Sequence, residues 1–249
     1  MHRTTMVVVV ALSALAPGGA KGEEVAPCPL PRPVEKELRA AAEASAAKAP
    51  PALQEASRKG IDEVAASGIL KTALNVGGTC PAFTLGDAKG QQVSSAALLA
   101  RGPMVIVFYR GAWCPYCNIY LHAWKAYLPR LAEQGATLVA ISGETPDRSA
   151  AMAQKTEAAF AVLSDPGYAV SRKFGVVYQV PAGVAEAMKG RGLDLAGYYG
   201  TGKAELPLSA TYVVGQDGKV VYAFLDADYR KRAEPAEVLA AVERLRETR

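Results

Sequence analysis

The sequence predicts an α/β fold in which helices flank a mostly parallel central sheet, preceded by a shorter helical segment. Three observations predict it: apolar runs at residues 104–109 and 137–142, a helical pattern after each run, and a turn signal late in the chain. Strands buried on both faces read as continuous apolar runs, and strands alternating with helices are typical of βαβ units. With 249 residues, half of them hydrophobic, the chain can bury a sizeable core.

Residues 1–20 have the layout of a secretory signal. Arg3 gives a basic start, residues 6–15 are apolar, and small residues lead to Ala20. The apolar stretch is too short for a membrane span of about 20 residues. We therefore expect a signal peptide over residues 1–20, no membrane association after its removal, and export, with the bacterial periplasm as the expected compartment.

Two further segments precede the main domain. Residues 21–33 read as an extended Pro-rich linker, and residues 34–75 as a helical appendage. Two Ala-rich helices are expected there with a break at residues 49–51, because proline disrupts a helix interior. In the second helix Leu53, Ile61, Val64 and Ala65 recur near helical spacing, so one face should pack on the rest of the chain. A docking face for a partner is the alternative.

Residues 76–249 are predicted to form one domain. The pattern indicates strands at 104–109, 137–142 and 160–163, helices at 120–134, 146–158 and 168–174, a hairpin of 211–214 with 220–225, and a last helix at 235–246. The hairpin is signalled by the Asp217-Gly218 pair. Parallel strands followed by an antiparallel hairpin and a final helix give the order of a thioredoxin-like fold. Residues 175–208 fit no element, and we expect an insertion near the active end of the sheet.

Cys114 and Cys117 directly follow the first buried strand and open the next helix. This placement sets their sulfurs beside free backbone N–H groups and the positive end of the helix dipole, which favours thiolate over thiol. The spacing also permits a reversible disulfide. A purely structural disulfide is disfavoured because closing so short a loop removes little chain entropy. The pair therefore predicts redox chemistry.

Zinc is the main competing use of such a pair. It needs two further ligands, and the mature chain offers Cys28, Cys80 and His122 besides carboxylates. His122 follows Cys117 by five residues, about 140° around a helix, so we expect it on the helix surface. We predict no metal ion and no other cofactor. We therefore expect the cysteine thiolate to be stabilised by the N-terminus of the helix and by Arg110, whose charge does not titrate.

Charge excludes a nucleic-acid binder. The net charge of +4 is too mild for the clustered basic surface that such binding requires. The basic stretch at residues 230–232 is interpreted as solvated surface. Trp113, inside the cysteine motif, is expected to form a wall over the sulfurs.

Several short motifs occur in one order along the domain. They are PAFTL at residues 81–85, FYRGAWCPYCN at 108–118, IS and TPD between 141 and 147, VLSD at 162–165, ATYVV at 210–214 and DADY at 226–229. Through them, the chain from about Val76 resembles the alkyl hydroperoxide reductase and thiol-specific antioxidant family, in its peroxiredoxin-like branch with Cys-x-x-Cys. The resemblance implies a thioredoxin-like fold and reduction of hydroperoxides by thiols.

The resemblance leaves the attacking sulfur open. An ungapped match puts Cys117 on the family's peroxide-attacking cysteine, whereas a thioredoxin interpretation makes Cys114 the nucleophile. The chain also departs from the family pattern at Ser209, where the family usually has an arginine that polarises the peroxide. Arg110 then remains to supply that charge.

The preferred hypothesis is a thiol peroxidase that uses Cys114, Cys117 and Arg110, takes a hydroperoxide, and is recycled by a thioredoxin-like or other dithiol. The alternative is an exported protein thiol–disulfide oxidoreductase, and a third possibility is a binding module without chemistry. Cys80 is expected as a buried inert thiol or in a disulfide with Cys28. The oligomeric state is left open.

Overall fold

The computed structural model describes residues 33–247. The predicted signal peptide, Cys28 and nearly all of the predicted linker lie outside the described residues. The strands are β1 (Thr84–Asp87), β2 (Gln92–Ser94), β3 (Met104–Phe108), β4 (Thr137–Ser142), β5 (Ala161–Ser164), β6 (Val177–Gln179), β7 (Glu205–Pro207), β8 (Thr211–Val214) and β9 (Val220–Phe224).

Helices surround these strands. They are α1 (Val34–Lys48), α2 (Pro51–Ala66), α3 (Ile69–Thr72), α4 (Ser95–Leu99), α5 (Pro115–Ala123), α6 (Leu128–Glu133), α7 (Pro146–Lys155), α8 (Ala169–Lys173), α9 (Ala182–Lys189), α10 (Leu195–Tyr199) and α11 (Pro235–Glu247). Between residues 33 and 247, no helix has both the length and the apolar character needed to cross a membrane.

The central sheet is mixed, so the prediction of a mostly parallel sheet is wrong. Seven strands pair in the order β2-β1-β5-β4-β3-β8-β9, and only β3, β4 and β5 run parallel to their neighbours in that group. β1 pairs antiparallel with both β2 and β5. The sequence pattern missed β1 and β2 because they are short and carry little apolar character. The predicted α/β class, with a central sheet and flanking helices, is confirmed.

β3 lies in the middle of the sheet and is buried along its whole length. Its alternate side chains enter two different apolar clusters. Val105 and Val107 pack in a cluster with residues of α5 and α11, while Ile106 and Phe108 pack in a cluster on the opposite face. Each buried side chain of this size contributes about 1.5–3 kcal/mol. This burial fixes the end of β3, which is the starting point of the cysteine loop.

The predicted helix over residues 120–134 is instead divided. α5 starts earlier, at Pro115, and ends at Ala123; a 3-10 turn at Trp124–Ala126 follows, and then α6 begins at Leu128. Pro129 in the first turn of α6 has no N–H to continue an upstream helix, which accounts for the break. The earlier start brings both cysteines to the N-terminus of α5.

Residues 34–66, here called the arm, form the two predicted helices with the break at residues 49–50. Val34 and Leu38 of α1 are buried in the cluster that contains the cysteine pair. The Glu234 carboxylate accepts hydrogen bonds from the backbone N–H groups of Val34, at 3.0 Å, and Glu35, at 2.6 Å. The arm is therefore packed on the domain at its first turn. In α2, Val64 is buried as expected but Ala65 is exposed.

Residues 175–208, predicted only as an insertion, are ordered into β6, α9, α10 and β7. β6 and β7 form a separate antiparallel pair. The segment has its own apolar cluster, which includes Tyr168, Leu195 and Tyr199. Tyr199 donates a hydrogen bond to the backbone carbonyl of Arg110, so the insertion does lie at the end of β3 that carries the cysteines.

We predict that Leu38→Ala lowers the free energy of unfolding of the whole chain by about 2–5 kcal/mol, because it leaves a cavity between the arm and the domain. Urea unfolding followed by Trp124 fluorescence measures this, since Trp124 is buried in the same cluster. Lys36→Ala, an exposed neighbour, is the control and should change the value by less than about 0.5 kcal/mol. Equal stability of Leu38→Ala and the control would contradict the packed arm.

Candidate redox site

The cysteine pair lies at the junction of β3 and α5, as predicted. Cys114 is the residue that precedes α5, Pro115 is its first residue, and Cys117 lies in its first turn. Proline suits the first helical position because the N–H it lacks would have no partner there. Both cysteine side chains are fully buried, with 0% exposure.

Three groups contact the sulfur of Cys117. The backbone N–H of Arg110 donates to Sγ at 3.4 Å, and Nη2 of Arg232 donates at 3.3 Å. Burial raises the pKa of Cys117, but the hydrogen bond from the Cys114 thiol, the Arg232 charge and the Arg110 N–H together hold it well below the usual value. These contacts favour the thiolate form at Cys117.

Cys114 has the opposite character. Burial raises the pKa of its thiol well above the usual value, and the neighbouring Cys117 raises it further. Nη1 of Arg110 lies 4.0 Å from the Cys114 sulfur. The surroundings of the pair therefore favour the thiol form at Cys114 and the thiolate form at Cys117.

Arg110 is buried between two aromatic rings. Its guanidinium lies 4.1 Å from the ring centre of Tyr229 and 4.8 Å from that of Trp113. Within residues 33–247 no carboxylate stands at ion-pair distance, and Nε has no hydrogen-bond partner. The faces of aromatic rings attract cations, and this attraction offsets part of the cost of burying the charge. The charge of Arg110 is therefore directed at the sulfurs.

Arg232 shows that the solvated-surface interpretation of residues 230–232 is wrong for one of the three. Arg230 pairs with Asp228 and Lys231 pairs with Asp226 toward the surface. Arg232 points inward and is only 7% exposed. The DADY motif directly upstream is the one sequence cue that this segment belongs to the site.

Ser209 occupies the position where the family resemblance places an arginine. It is 2% exposed, and its hydroxyl has no hydrogen-bond partner in the described part of the chain. The cations that contact the sulfurs come instead from Arg110, at the end of β3, and Arg232, in the loop before α11.

Glu144, which the sequence analysis did not select, positions the cysteine loop. It follows β4 and is fully buried. Its Oε1 accepts hydrogen bonds from the backbone N–H of Ala112, at 2.9 Å, and from the Tyr198 hydroxyl, at 2.7 Å. Burial raises the pKa of the Glu144 carboxyl. Glu144 thereby ties the loop before Cys114 to helix α10.

Trp113 and Tyr199 hold the same loop from the other side. Trp113 Nε1 donates to the Tyr199 hydroxyl at 3.1 Å, and Tyr199 donates to the Arg110 carbonyl. A side chain at Gly111 would meet both rings, since its Cβ would fall 2.5 Å from Trp113 Nε1 and 2.6 Å from the Tyr199 oxygen. Only glycine fits there.

Cys80 and His122, the other residues considered as ligands or redox partners, lie away from the cysteine pair. Cys80 is partly buried and unpaired among the described cysteines, and burial raises the pKa of its thiol to about 11. Its pairing with Cys28 stays a prediction, because Cys28 lies outside the described residues. His122 is exposed, as expected, and its Nδ1 lies 3.3 Å from the Thr156 carbonyl oxygen. In the range 33–247 no cluster of His, Cys, Asp and Glu is arranged to hold a metal ion.

A cavity of about 730 Å³ opens beside the pair. Arg110, Trp113 and Cys114 line its inner end. The arm and helix α9 contribute its other walls. Cys117 is not among the residues that line the cavity.

Comparison with known proteins bears on the family and the fold of this chain. Residues 76–223 match the AhpC/TSA family. Chloroplastic peroxiredoxin Q from Sedum lineare is 34% identical over 100 residues, which are 40% of this chain and 53% of the relative. The wheat (Triticum aestivum) peroxiredoxin Q is 30% identical over 160 residues, 64% of this chain and 63% of the relative. The matches therefore span about half to two thirds of these relatives.

Solved structures agree on the fold. Peroxidoxin BcpB from Mycobacterium tuberculosis superposes with a TM-score of 0.54 at 24% identity, covering 71% of this chain and 99% of that protein. Peroxiredoxin Q from Xanthomonas campestris superposes with a TM-score of 0.51 at 23% identity, covering 65% and 90%. The predicted thioredoxin-like fold of the peroxiredoxin type is confirmed.

Removal of the Arg232 charge should raise the pKa of Cys117. For Arg232→Met we expect an increase of about 1–3 units, because an opposite charge in contact with the sulfur is lost. Ultraviolet absorbance of the thiolate during a pH titration measures it. Arg232→Lys should retain part of the effect, since it keeps the charge but not the guanidinium geometry. Lys231→Met, an exposed neighbour, is the control; a shift as large in the control would show that the effect is not local.

Proposed function

Because the chain belongs to the AhpC/TSA family, we propose that it is a thiol peroxidase in which Cys117 attacks the hydroperoxide and Cys114 resolves the product. One observation carries the choice of sulfur: the Arg110 N–H and the Arg232 guanidinium both donate to Cys117. These donors stabilise a thiolate, and only the thiolate is nucleophilic.

The first step is attack of the Cys117 thiolate on the terminal oxygen of the hydroperoxide. The S–O bond forms as the O–O bond breaks, sulfur is oxidised to a sulfenic acid that keeps the peroxide proton on the transferred oxygen, and the alkoxide that leaves takes a proton from solvent water to become an alcohol. Because Cys117 has no exposed surface, the Cys114 side chain must turn aside to admit the peroxide.

The two arginines support this step electrostatically. Negative charge moves from the sulfur to the leaving oxygen, and Arg110, which lines the cavity and lies 4.0 Å from the Cys114 sulfur, is the cation that would stabilise it. Fixed cations in a water-poor site stabilise such developing charge without reorganisation. They supply what the family obtains from the arginine that Ser209 replaces here.

The second step is condensation of the sulfenic acid with Cys114. The thiol attacks the oxidised sulfur, the S–S bond forms and water leaves. Cys114 donates to Cys117 before reaction, so the return of its side chain to that position brings the two sulfurs together. A dithiol then reduces the disulfide and becomes a disulfide itself, which closes the cycle. We also propose that the cycle runs after export, on the strength of residues 1–20.

A protein thiol–disulfide oxidoreductase is the second candidate. It is favoured by one observation: Cys114, not Cys117, lines the cavity. In such an enzyme Cys114 would attack a partner's disulfide. The raised pKa of Cys114 opposes this reading, because a protonated thiol is a poor nucleophile.

Separate serine variants distinguish the two roles. With hydrogen peroxide, Cys114→Ser should accumulate a sulfenic acid on Cys117 that dimedone traps, because the resolving thiol is missing. Cys117→Ser should not form one. Mass spectrometry locates the adduct, and Cys80→Ser serves as the control that leaves the reaction intact.

Stopped-flow mixing of the reduced protein with peroxide tests the activity itself. Oxidation of the pair much faster than that of free cysteine is the expected result. A sulfenic acid formed on Cys114 in the Cys117→Ser variant would reverse the assignment. Insulin reduction without any response to peroxide would favour the oxidoreductase instead.

A further inference from the structure

Access to Cys114 is limited by its surroundings. Its side chain has no exposed surface, and it borders the cavity of about 730 Å³, whereas Cys117 does not. The lining mixes apolar, polar and charged side chains, so its polarity selects no class of ligand. The walls of the cavity instead decide how large a molecule can reach the Cys114 sulfur.

Both helices of the arm line this cavity together with the cysteine motif. Residues within 42–58 share the lining with Trp113, Pro115 and Tyr116, which flank Cys114. α1 also packs against α5, the helix that Cys114 precedes. A protein whose sulfur bonds to Cys114 must also contact the flanking residues, because neighbouring Cα atoms of a chain lie only about 3.8 Å apart. The arm therefore takes up space that a docked protein would need.

Packing holds the arm in that place. The side-chain amide of Gln54 donates to the carbonyl oxygens of Ala46, at 3.0 Å, and Ala49, at 2.9 Å, which ties the start of α2 to the end of α1. α2 packs against α9, and a Cβ on Gly60 would lie 2.4 Å from Cγ2 of Val184. Only a residue without a side chain permits so close an approach. Together with the anchored first turn, these contacts fix the arm at three places.

The dimensions of the cavity suit a small molecule. Its volume lies within the range of about 300–1,000 Å³ that small-molecule sites occupy. A stable contact between two proteins takes about 800 Å² of surface from each partner. Dithiol proteins of the thioredoxin type carry their cysteines at the start of a helix on a folded surface, not on a slender chain. Such a surface cannot enter the cavity while the arm is in place.

We propose that the arm is an access filter for the recycling step: together with α9 it admits dithiol compounds of low molecular weight to Cys114 and keeps folded protein dithiols out. The inference rests on the proposed function and narrows its dithiol to one size class. The same filter keeps the pair apart from the disulfides of other proteins, which the oxidoreductase alternative would require it to reach.

Recycling then takes place at Cys114, the cysteine that borders the cavity. One thiolate of the compound attacks the Cys114 sulfur, a mixed disulfide forms and the bond to Cys117 breaks. Cys117 leaves as a thiolate, which the Arg110 N–H and the Arg232 guanidinium stabilise. The second thiol loses its proton and attacks the compound's own sulfur in the mixed disulfide, which releases a cyclic disulfide and Cys114. Two electrons pass to the protein; Cys114 takes up one proton and the other goes to solvent.

A reduction assay that needs no peroxide tests the filter. The disulfide between Cys114 and Cys117 is formed with diamide, and its reduction is followed by alkylation of the freed thiols and mass spectrometry. Dithiothreitol is the small dithiol, and thioredoxin kept reduced by its reductase is the protein dithiol. Relative to dithiothreitol, thioredoxin should act about tenfold or more slowly here than it does on insulin, since exchange rates depend on access to the attacked sulfur.

Opening the arm should admit the protein dithiol. Gly60→Leu puts a side chain into the contact with Val184 and forces α2 from α9. It should raise the thioredoxin rate by about tenfold and change the dithiothreitol rate by less than about twofold, because only the larger reductant is limited by access. Gly183→Leu is the matched control, since within residues 33–247 a Cβ at that exposed position would meet nothing outside its own helix within 4 Å. Gln54→Ala, which frees the start of α2 from the end of α1, replaces Gly60→Leu if unfolding midpoints show that the latter is not folded.

The outcomes distinguish the filter from the peroxidase function. Thioredoxin that is as effective on the wild type as on insulin, relative to dithiothreitol, overturns the filter. Thioredoxin rates that stay low in every folded opening variant also overturn it, because the exclusion then does not come from the arm. Rates that rise together with both reductants indicate general loosening and overturn it as well. A wild type that shows the size selection but does not react with hydrogen peroxide ends the proposed peroxidase function and leaves the filter standing.

Discussion

The contact between the Cys117 sulfur and two buried arginines is the interaction on which the site depends. A buried anion without partners would cost several kcal/mol and would be protonated instead. Here Arg232 and the backbone N–H of Arg110 contact the sulfur directly. The Arg232 guanidinium contacts Cys117 and the Arg110 guanidinium lies beside Cys114, with no carboxylate paired to either in the described part of the chain. The excess positive charge suits a reaction that moves an electron pair onto an oxygen.

The surrounding fold keeps those groups in place. β3 is buried along its length, so Arg110 starts from a fixed point. Glu144 and Tyr199 then hold the loop that follows, one at the Ala112 N–H and the other at the Arg110 carbonyl. The insertion, which carries Tyr199, is therefore part of the site. Preorganisation of this kind keeps donors aimed at the sulfur before any substrate arrives.

The arm contributes both to the stability of the fold and to the cavity beside the cysteine pair. Its first turn is anchored by Glu234, and Leu38 lies in the apolar cluster that contains both cysteines. Its residues 42–58 include much of the lining of the cavity beside Cys114. Packing of the arm on the domain and the shape of the cavity therefore depend on the same two helices. A segment without any chemical motif in its sequence thus borders the reacting groups.

Sequence alone determined the parts of this protein that depend on local order. The apolar runs of β3 and β4 predict buried strands, and the position of Cys114 and Cys117 after β3 predicts a thiolate at a helix N-terminus. Tertiary structure decided which sulfur is in contact with a guanidinium and so favoured as a thiolate, because Arg232 reaches Cys117 across 115 residues of chain. It also decided the roles of Glu144 and the arm. The pattern and spacing of residues in the sequence predict the helix or strand to which a residue belongs. The contacts of Arg232, Glu144 and the arm form only when segments distant in the sequence pack together.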